Sequence, residues 1–89
     1  MECNMTKELT KVKSYFELLG RNEKLTILNN SNLNDRDTAL LTSRLVQGKS
    51  LKECSDDFGI EEDSINKAQL KAVKKLYYWI IFNLSIDTI

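Results

Sequence analysis

Four lysines near the end of the chain are the residues best suited to bind a partner. Lys67, Lys71, Lys74 and Lys75 follow one another at helical spacing, so a helix would carry them on one side. Ammonium groups bind phosphate oxygens, and such a row is typical of nucleic-acid-binding surfaces. A solvated helix face has the same pattern, so the lysines alone leave both interpretations open.

Residue combinations that support catalysis or hold a metal are missing from the sequence. The chain has no histidine, and its two cysteines, Cys3 and Cys54, are far apart, whereas zinc sites need clustered ligands. No nucleophile–base pair, carboxylate dyad or glycine-rich phosphate loop can be assembled. We therefore expect a protein that is not an enzyme and has no metal or cofactor. Cys54 is interpreted as a small core residue.

Length and composition predict one small helical domain spanning residues 1–89. The 89 residues include no proline, three glycines and 42% hydrophobic residues, which favours helices separated by glycine stops. We expect an all-α fold, a small bundle of four to five helices. The N-terminus lacks a signal-peptide pattern, and the longest apolar run, 76–82, is too short to span a bilayer. A cytoplasmic protein without membrane contact is expected.

Charge is unevenly distributed along the chain although its net charge is zero. Residues 34–63 carry four basic and eight acidic side chains, whereas residues 64–89 carry four basic and one acidic. A zero net charge argues against indiscriminate binding to nucleic acid. The C-terminal third is therefore the basic part of the chain.

The N-terminal segment, residues 6–32, is predicted to contain one helix and a loop. The helix covers residues 6–19, with Thr6 as its N-cap and Gly20 as a left-handed residue at its end. The loop includes residues 29–32, and a short helix that fills the core can form before it. The apolar residues of the first helix are Leu9, Val12, Phe16 and Leu19, and those of the short helix are Leu25, Ile27 and Leu28.

Capping residues and glycines define three further helices. Asn34 caps a helix that Gly48 stops, and its apolar stripe is Leu40, Leu41, Leu45 and Val46. Ser50 and Glu53 form a capping box at the start of a short helix that Gly59 ends. A long helix begins at about residue 61, and residues 77–89 form its apolar extension.

The short helix and the long helix have the spacing of a helix-turn-helix. A small residue, Ser55, is available where the helices cross, Gly59 can take the left-handed turn position, and branched Ile65 can lock the second helix onto the first. An ordinary helical hairpin could share any one of these features. Their joint spacing together with the capping box favours a DNA-binding motif.

Residues 33–76 also resemble region four of bacterial sigma factors and shorter promoter readers related to it. The resemblance covers about half of the chain without gaps through the helix-turn-helix. It is carried by Leu33-Asn34-Asp35-Arg36-Asp37, Arg44, Gly48-Lys49-Ser50-Leu51-Lys52-Glu53, Phe58-Gly59-Ile60, Ser64-Ile65 and Lys71-Ala72-Val73-Lys74-Lys75-Leu76.

The resemblance implies a transcription regulator of phage or mobile-element type that reads promoter DNA with RNA polymerase or as a homodimer. The long helix would enter the major groove of double-stranded DNA, where lysine, asparagine and carboxylates can each contact base edges. Lys49 and Lys52 would lie near phosphates, and Lys74 extends the lysine row. The implied groove-facing residues are Glu62, Asp63, Asn66, Lys67 and Lys71.

Two features of the sequence keep other functions open. Glu61 stands where the family has a serine or threonine cap, and with Glu62 and Asp63 it forms an acidic run that would repel phosphates. The same fold could therefore bind RNA polymerase or a sigma partner without reading DNA, or serve as a phage DNA-packaging subunit. The apolar end either closes the core against the first helix or forms a partner surface of Tyr77, Tyr78, Trp79, Ile81 and Phe82.

Overall fold

The computed structural model describes residues 7–84, and these form five α-helices with no strand among them. The all-α bundle predicted from composition is confirmed. None of these helices combines the length and apolarity that crossing a membrane requires. The helices are α1 (Lys7–Phe16), α2 (Arg21–Asn30), α3 (Asp35–Leu41), α4 (Leu51–Phe58) and α5 (Glu62–Leu84), and α3 continues into a π-helical turn, Thr42–Val46.

Helix α5 is the longest element and contacts α1, α3 and α4. Its first half packs against α3 and α4, and its second half against α1. Helix α1 runs beside it in the same direction, because Glu8 lines the same groove as Leu70 while Lys11 Nζ lies 5.9 Å from the ring centroid of Tyr77. The apolar extension predicted from residue 77 is the continuation of α5 to Leu84, and residues 85–89 lie outside the described range.

The buried apolar residues form two clusters, a small one and a large one. The neighbouring residues Leu40 and Leu41 belong to different clusters, so α3 contributes to both of them. The small cluster consists of Leu40, Cys54 and Ile65. The large cluster consists of Leu9, Val12, Phe16, Ile27, Leu28, Leu41, Ala72, Val73, Leu76 and Ile80.

The N-terminal segment differs from its prediction because it holds two full helices. Helix α1 ends at Phe16, and Gly20 has a φ of −76°, so the predicted left-handed end at Gly20 is wrong. Gly20 instead caps α2, where its backbone N–H donates to Glu23 Oε1 at 2.8 Å. A carboxylate three residues after the cap holds that amide at the start of a helix. The proposed cap Thr6 lies outside the described residues.

Helix α2 confirms the short core-filling helix but is longer than predicted. Ile27 and Leu28 are buried, whereas Leu25 is only partly buried. The loop assigned to Asn29 and Asn30 is wrong, because both belong to α2. The Asn30 side-chain amide donates to the backbone carbonyl one turn earlier, so this side chain folds back along the last turn of the helix.

Helix α3 begins and ends near the predicted residues. Asn34 Oδ1 accepts a hydrogen bond from the backbone N–H of Asp37 at 2.7 Å, which confirms the cap. Gly48 has a φ of +70° and follows the last turn. The π-helical turn was not predicted. In it the Gln47 N–H donates to the Thr42 carbonyl five residues earlier, so the chain winds more widely before the loop.

Candidate nucleic-acid interface

The turn between α4 and α5 is fixed by hydrogen bonds at both ends of α4. Ser50 Oγ accepts from the Glu53 N–H at 3.1 Å, and Glu53 Oε1 accepts from the Ser50 N–H at 2.8 Å, so the predicted capping box is present. Gly59 ends the helix at φ 71° and ψ 29°, the left-handed conformation predicted for it. The Ser55 hydroxyl donates to the Ile60 carbonyl and ties α4 to the turn.

The small apolar cluster holds α4 and α5 together. Cys54 and Ile65 are completely buried, which confirms both as core residues. Burial also raises the pKa of the Cys54 thiol above its ordinary value, because the charged thiolate would lose its hydration there. Partly buried residues complete the cluster, namely Leu51, Phe58, Ile60 and Ala68. The crossing of the two helices is therefore set by packing as well as by the turn.

A chain of hydrogen bonds connects α5 to the π-helical turn and the loop after it. Arg44 Nε donates to Gln69 Oε1 at 2.6 Å, and Arg44 Nη1 donates to the Lys49 carbonyl at 2.7 Å. Gln69 Nε2 donates in turn to Asn66 Oδ1 at 3.0 Å. Gln69 is only 2% exposed, so these bonds satisfy a carboxamide within the core.

Gln69 and this use of Arg44 were not predicted from the sequence. The available signal was the position of Gln69 between Ile65 and Ala72, where helical spacing calls for an apolar residue. A polar residue at such a position needs a partner, and Arg44 supplies it from 25 residues away.

The predicted lysine row lies on the outer face of α5. Lys67, Lys71 and Lys74 are exposed and line an open groove together with Leu70 and Glu8 of α1. Three ammonium groups therefore border one groove, with a single carboxylate opposite them. Glu8 and Leu70 were not among the predicted site residues, because only the packing of α1 brings them there.

The other predicted contact residues differ in their exposure and in whether their side chains already form hydrogen bonds within the protein. Glu62 and Asp63 are exposed in the first turn of α5, and Lys52 is exposed on α4. Asn66 is half-buried, and its side-chain oxygen is already bonded to Gln69.

Lys49 is engaged within the protein rather than free. Its Nζ lies 2.6 Å from Asp57 Oδ2, and this hydrogen bond, with the charge of Asp57, raises the pKa of Lys49. The lysine stays charged, but the carboxylate offsets its charge locally. A phosphate could bind Lys49 only by competing with Asp57.

The exposed acidic and basic side chains of α5 occupy separate stretches of the helix, whereas Lys49 and Lys52 lie among the acidic residues of α4. Between Asp63 and Lys67, one helical turn apart, the exposed charge on α5 changes sign. The acidic region comprises Glu53, Asp56, Asp57, Glu61, Glu62 and Asp63, and the basic region comprises Lys67, Lys71, Lys74 and Lys75. A polyanion would be repelled by the start of α5 and attracted by its middle.

The aromatic end of α5 divides between the core and the surface. Tyr77 and Trp79 pack against the large cluster, and Ile81 is half-buried. Tyr78 and Phe82 are 43% and 78% exposed, and their rings stack with centroids 6.4 Å apart. The predicted packing against the core therefore holds for Tyr77 and Trp79, and of the five residues predicted for a partner surface only Tyr78 and Phe82 are exposed. Helical spacing places these two on the outer face, after the lysine row.

Comparison with family models, with curated proteins and with solved structures gives no match.

Proposed function

We propose that this protein is a DNA-binding transcription regulator in which α4, the turn and α5 act as a helix-turn-helix. The observation that carries the proposal is the exposed row of Lys67, Lys71 and Lys74, which follows the α4–α5 turn on the outer face of α5. A helix projecting from a rigid turn can enter the major groove, and lysines on its outer face can reach phosphates and base edges.

The resemblance to sigma region four supports the same proposal and suggests a role with RNA polymerase at promoters. In this role α4 would support α5 from behind while α5 lies in the groove. The acidic first turn weakens general attraction to DNA. We therefore propose that a protein partner, RNA polymerase or a second copy, adds to binding on the promoter.

The test is binding to a random-sequence duplex over a range of salt concentrations. Replacing both Lys67 and Lys71 with alanine should abolish the binding seen at low salt. If each contacts one phosphate, the slope of log affinity against log salt should flatten by about 2. The matched control changes Lys13 and Lys24, on α1 and α2, to alanine, because it alters net charge equally away from α5. Equal DNA binding by both double variants would contradict the proposal.

A second candidate function is a protein-interaction module of the same fold that does not read DNA. The observation in its favour is the acidic region at the start of α5 together with the exposed Tyr78–Phe82 stack. Exposed aromatic side chains of this kind are enriched at protein interfaces. Such a module would bind RNA polymerase or a sigma partner through surfaces that DNA does not require.

Changing Glu62 to lysine separates the two functions. If α5 lies in the groove, the variant should bind DNA more tightly at low salt and with less sequence preference, because attraction to phosphate carries no base information. Glu17→Lys is the matched control, since Glu17 is exposed beyond the end of α1. Unchanged DNA binding combined with weaker binding to purified RNA polymerase would favour the interaction module.

A further inference from the structure

We propose that Arg44 and Gln69 fix Asn66 as a hydrogen-bond donor on the surface of α5, so that this position selects an acceptor atom on a base edge. The selection of a base depends on the proposed DNA binding. The orientation of Asn66 does not, because it follows from hydrogen bonds within the protein.

The orientation begins at Arg44, whose guanidinium carries only donors. Because Arg44 Nε lies 2.6 Å from the Gln69 carboxamide, the atom that faces it must be the oxygen. The reversed carboxamide would place an NH₂ group against an N–H group, two donors without an acceptor. Gln69 is 2% exposed, so water has little access to supply the missing acceptor. Arg44 therefore decides which way Gln69 points.

The orientation of the Gln69 carboxamide in turn fixes the orientation of the Asn66 carboxamide. With its oxygen turned to Arg44, Gln69 presents its NH₂ group to Asn66, at 3.0 Å from Oδ1. Asn66 must accept this hydrogen bond with its oxygen, which leaves its own NH₂ group without a partner in the network. Within residues 7–84 no group accepts from Asn66 Nδ2, and no buried side-chain nitrogen or oxygen lacks a partner. The Nδ2 group is therefore open to solvent.

A fixed donor at this position has a defined consequence for base recognition. In the major groove guanine offers two acceptors and thymine one, whereas cytosine offers only a donor. The two-bond contact of asparagine with adenine uses the side-chain oxygen as well as the NH₂ group. Because the hydrogen bond from Gln69 directs the Asn66 oxygen toward Gln69, the NH₂ group is the part left for a base. Adenine offers the N7 acceptor only beside its own N6 donor, so we expect a preference for guanine or thymine and selection against cytosine at the contacted base.

The substitution Gln69→Glu should reverse the polarity. A carboxylate still accepts from Arg44, but it can no longer donate to Asn66. Asn66 should then turn its NH₂ group inward and present its oxygen, which accepts from cytosine or adenine. Asn66→Asp should shift the preference in the same direction without altering the core, because a carboxylate accepts from Gln69 and presents a second acceptor outward. Asn66→Asp therefore tests the same expectation if the Gln69→Glu variant does not fold.

The orientation is tested without DNA, by NMR exchange of side-chain amide protons in the full chain. In the parent, Gln69 Nε2 protons should exchange with water about tenfold more slowly than Asn66 Nδ2 protons, because a hydrogen bond must open first. In Gln69→Glu the Asn66 protons should become the slow ones. Fast Gln69 protons and slow Asn66 protons in the parent would overturn the orientation.

The base preference is tested by selecting duplexes from a random-sequence library with the parent and each variant. Gln69→Glu and Asn66→Asp should enrich cytosine or adenine at one position where the parent excludes cytosine. Gln47→Glu is the matched control, because Gln47 is exposed and the charge change is identical. Unchanged selection at every position by both variants would overturn the role of Asn66 in specificity. Failure of the parent to select any duplex would overturn the proposed function and the base preference together, while the exchange experiment would still decide the orientation.

Discussion

The two halves of α5 are buried in different ways. The first half contacts a cluster of three fully buried residues and depends on a left-handed glycine, a capping box and the hydrogen bonds of Arg44. The second half contributes to a cluster of ten buried residues that draws on α1, α2 and α3. Hydrophobic stabilisation scales with the apolar area removed from water, so the second half should carry most of the stability. The first half should mainly set the direction in which α5 leaves the turn.

The largest effect is expected from truncating Phe16, a buried member of the second-half cluster. Phe16 is 2% exposed, and Phe16→Ala should lower the free energy of unfolding by about 3–5 kcal/mol, measured by urea denaturation. Phe82→Ala is the matched control, because the same side chain is 78% exposed there and its loss should change stability by less than about 0.5 kcal/mol. Similar losses for the two variants would contradict the assignment of the core.

A smaller effect is expected at the turn, where Gly59 has a φ of +71°. A Cβ at this position would meet no atom within 4 Å, so the cost of substitution comes from the backbone alone. Gly59→Val should lower stability by about 1–2 kcal/mol, and Gly59→Asn by less, because asparagine tolerates the left-handed region. Thermal unfolding followed by circular dichroism measures both. Equal melting temperatures for parent and valine variant would contradict the turn geometry.

A still smaller effect is expected from removing a helix cap in the first half. Ser50→Ala deletes one side of the capping box and should cost about 1 kcal/mol in the free energy of unfolding. Thr26→Ala provides a control on α2, where an exposed hydroxyl donates to a carbonyl within its own helix. Urea denaturation of both variants checks the ranking, and an equal loss from Thr26→Ala would argue against a particular role for the cap.

The comparison also explains how far the sequence could predict the fold. Short local patterns were sufficient to predict where the helices around the first half of α5 begin and end. The caps Asn34 and Ser50 and the left-handed Gly59 are examples. The prediction for Gly20 was wrong because glycine suits both a helix end and a helix start, and the Glu23 carboxylate, which accepts from the Gly20 N–H, decides between them. Cys54 and Ile65 were predicted as core residues from their spacing, and Ile27 and Leu28 as residues of a core-filling helix, whereas the full length of α2 was evident only from the structure.

The candidate site was predictable only in part, for the same reason. Helical spacing was enough to place Lys67 and Lys71 on one exposed face. The orientation of Asn66 depends on Arg44, which is distant in the sequence, and the pairing of Lys49 with Asp57 depends on how α4 follows its loop. Long-range hydrogen bonds of this kind leave no local pattern of residues.

The smallest effect is expected from the ionisation of Cys54 in the first-half cluster. Burial raises the pKa of this thiol, so between the ordinary cysteine pKa, about 8.5, and the higher folded value the unfolded chain ionises while the folded chain stays neutral. The folded state then binds more protons than the unfolded state, and the contribution of Cys54 to stability falls as the pH rises through this window.

Urea denaturation at neutral and alkaline pH tests this expectation, with Cys3 replaced by serine throughout so that one thiol remains. Lysine and tyrosine also titrate at alkaline pH, so the informative quantity is the difference in unfolding free energy between the parent and Cys54→Ala. That difference should be largest near neutrality, where the thiol is neutral in both states, and should shrink as the pH rises. A difference that stays constant across the pH range would show that the thiolate is solvated as well in the folded protein as in water. Cys54 would then not be buried between α4 and α5.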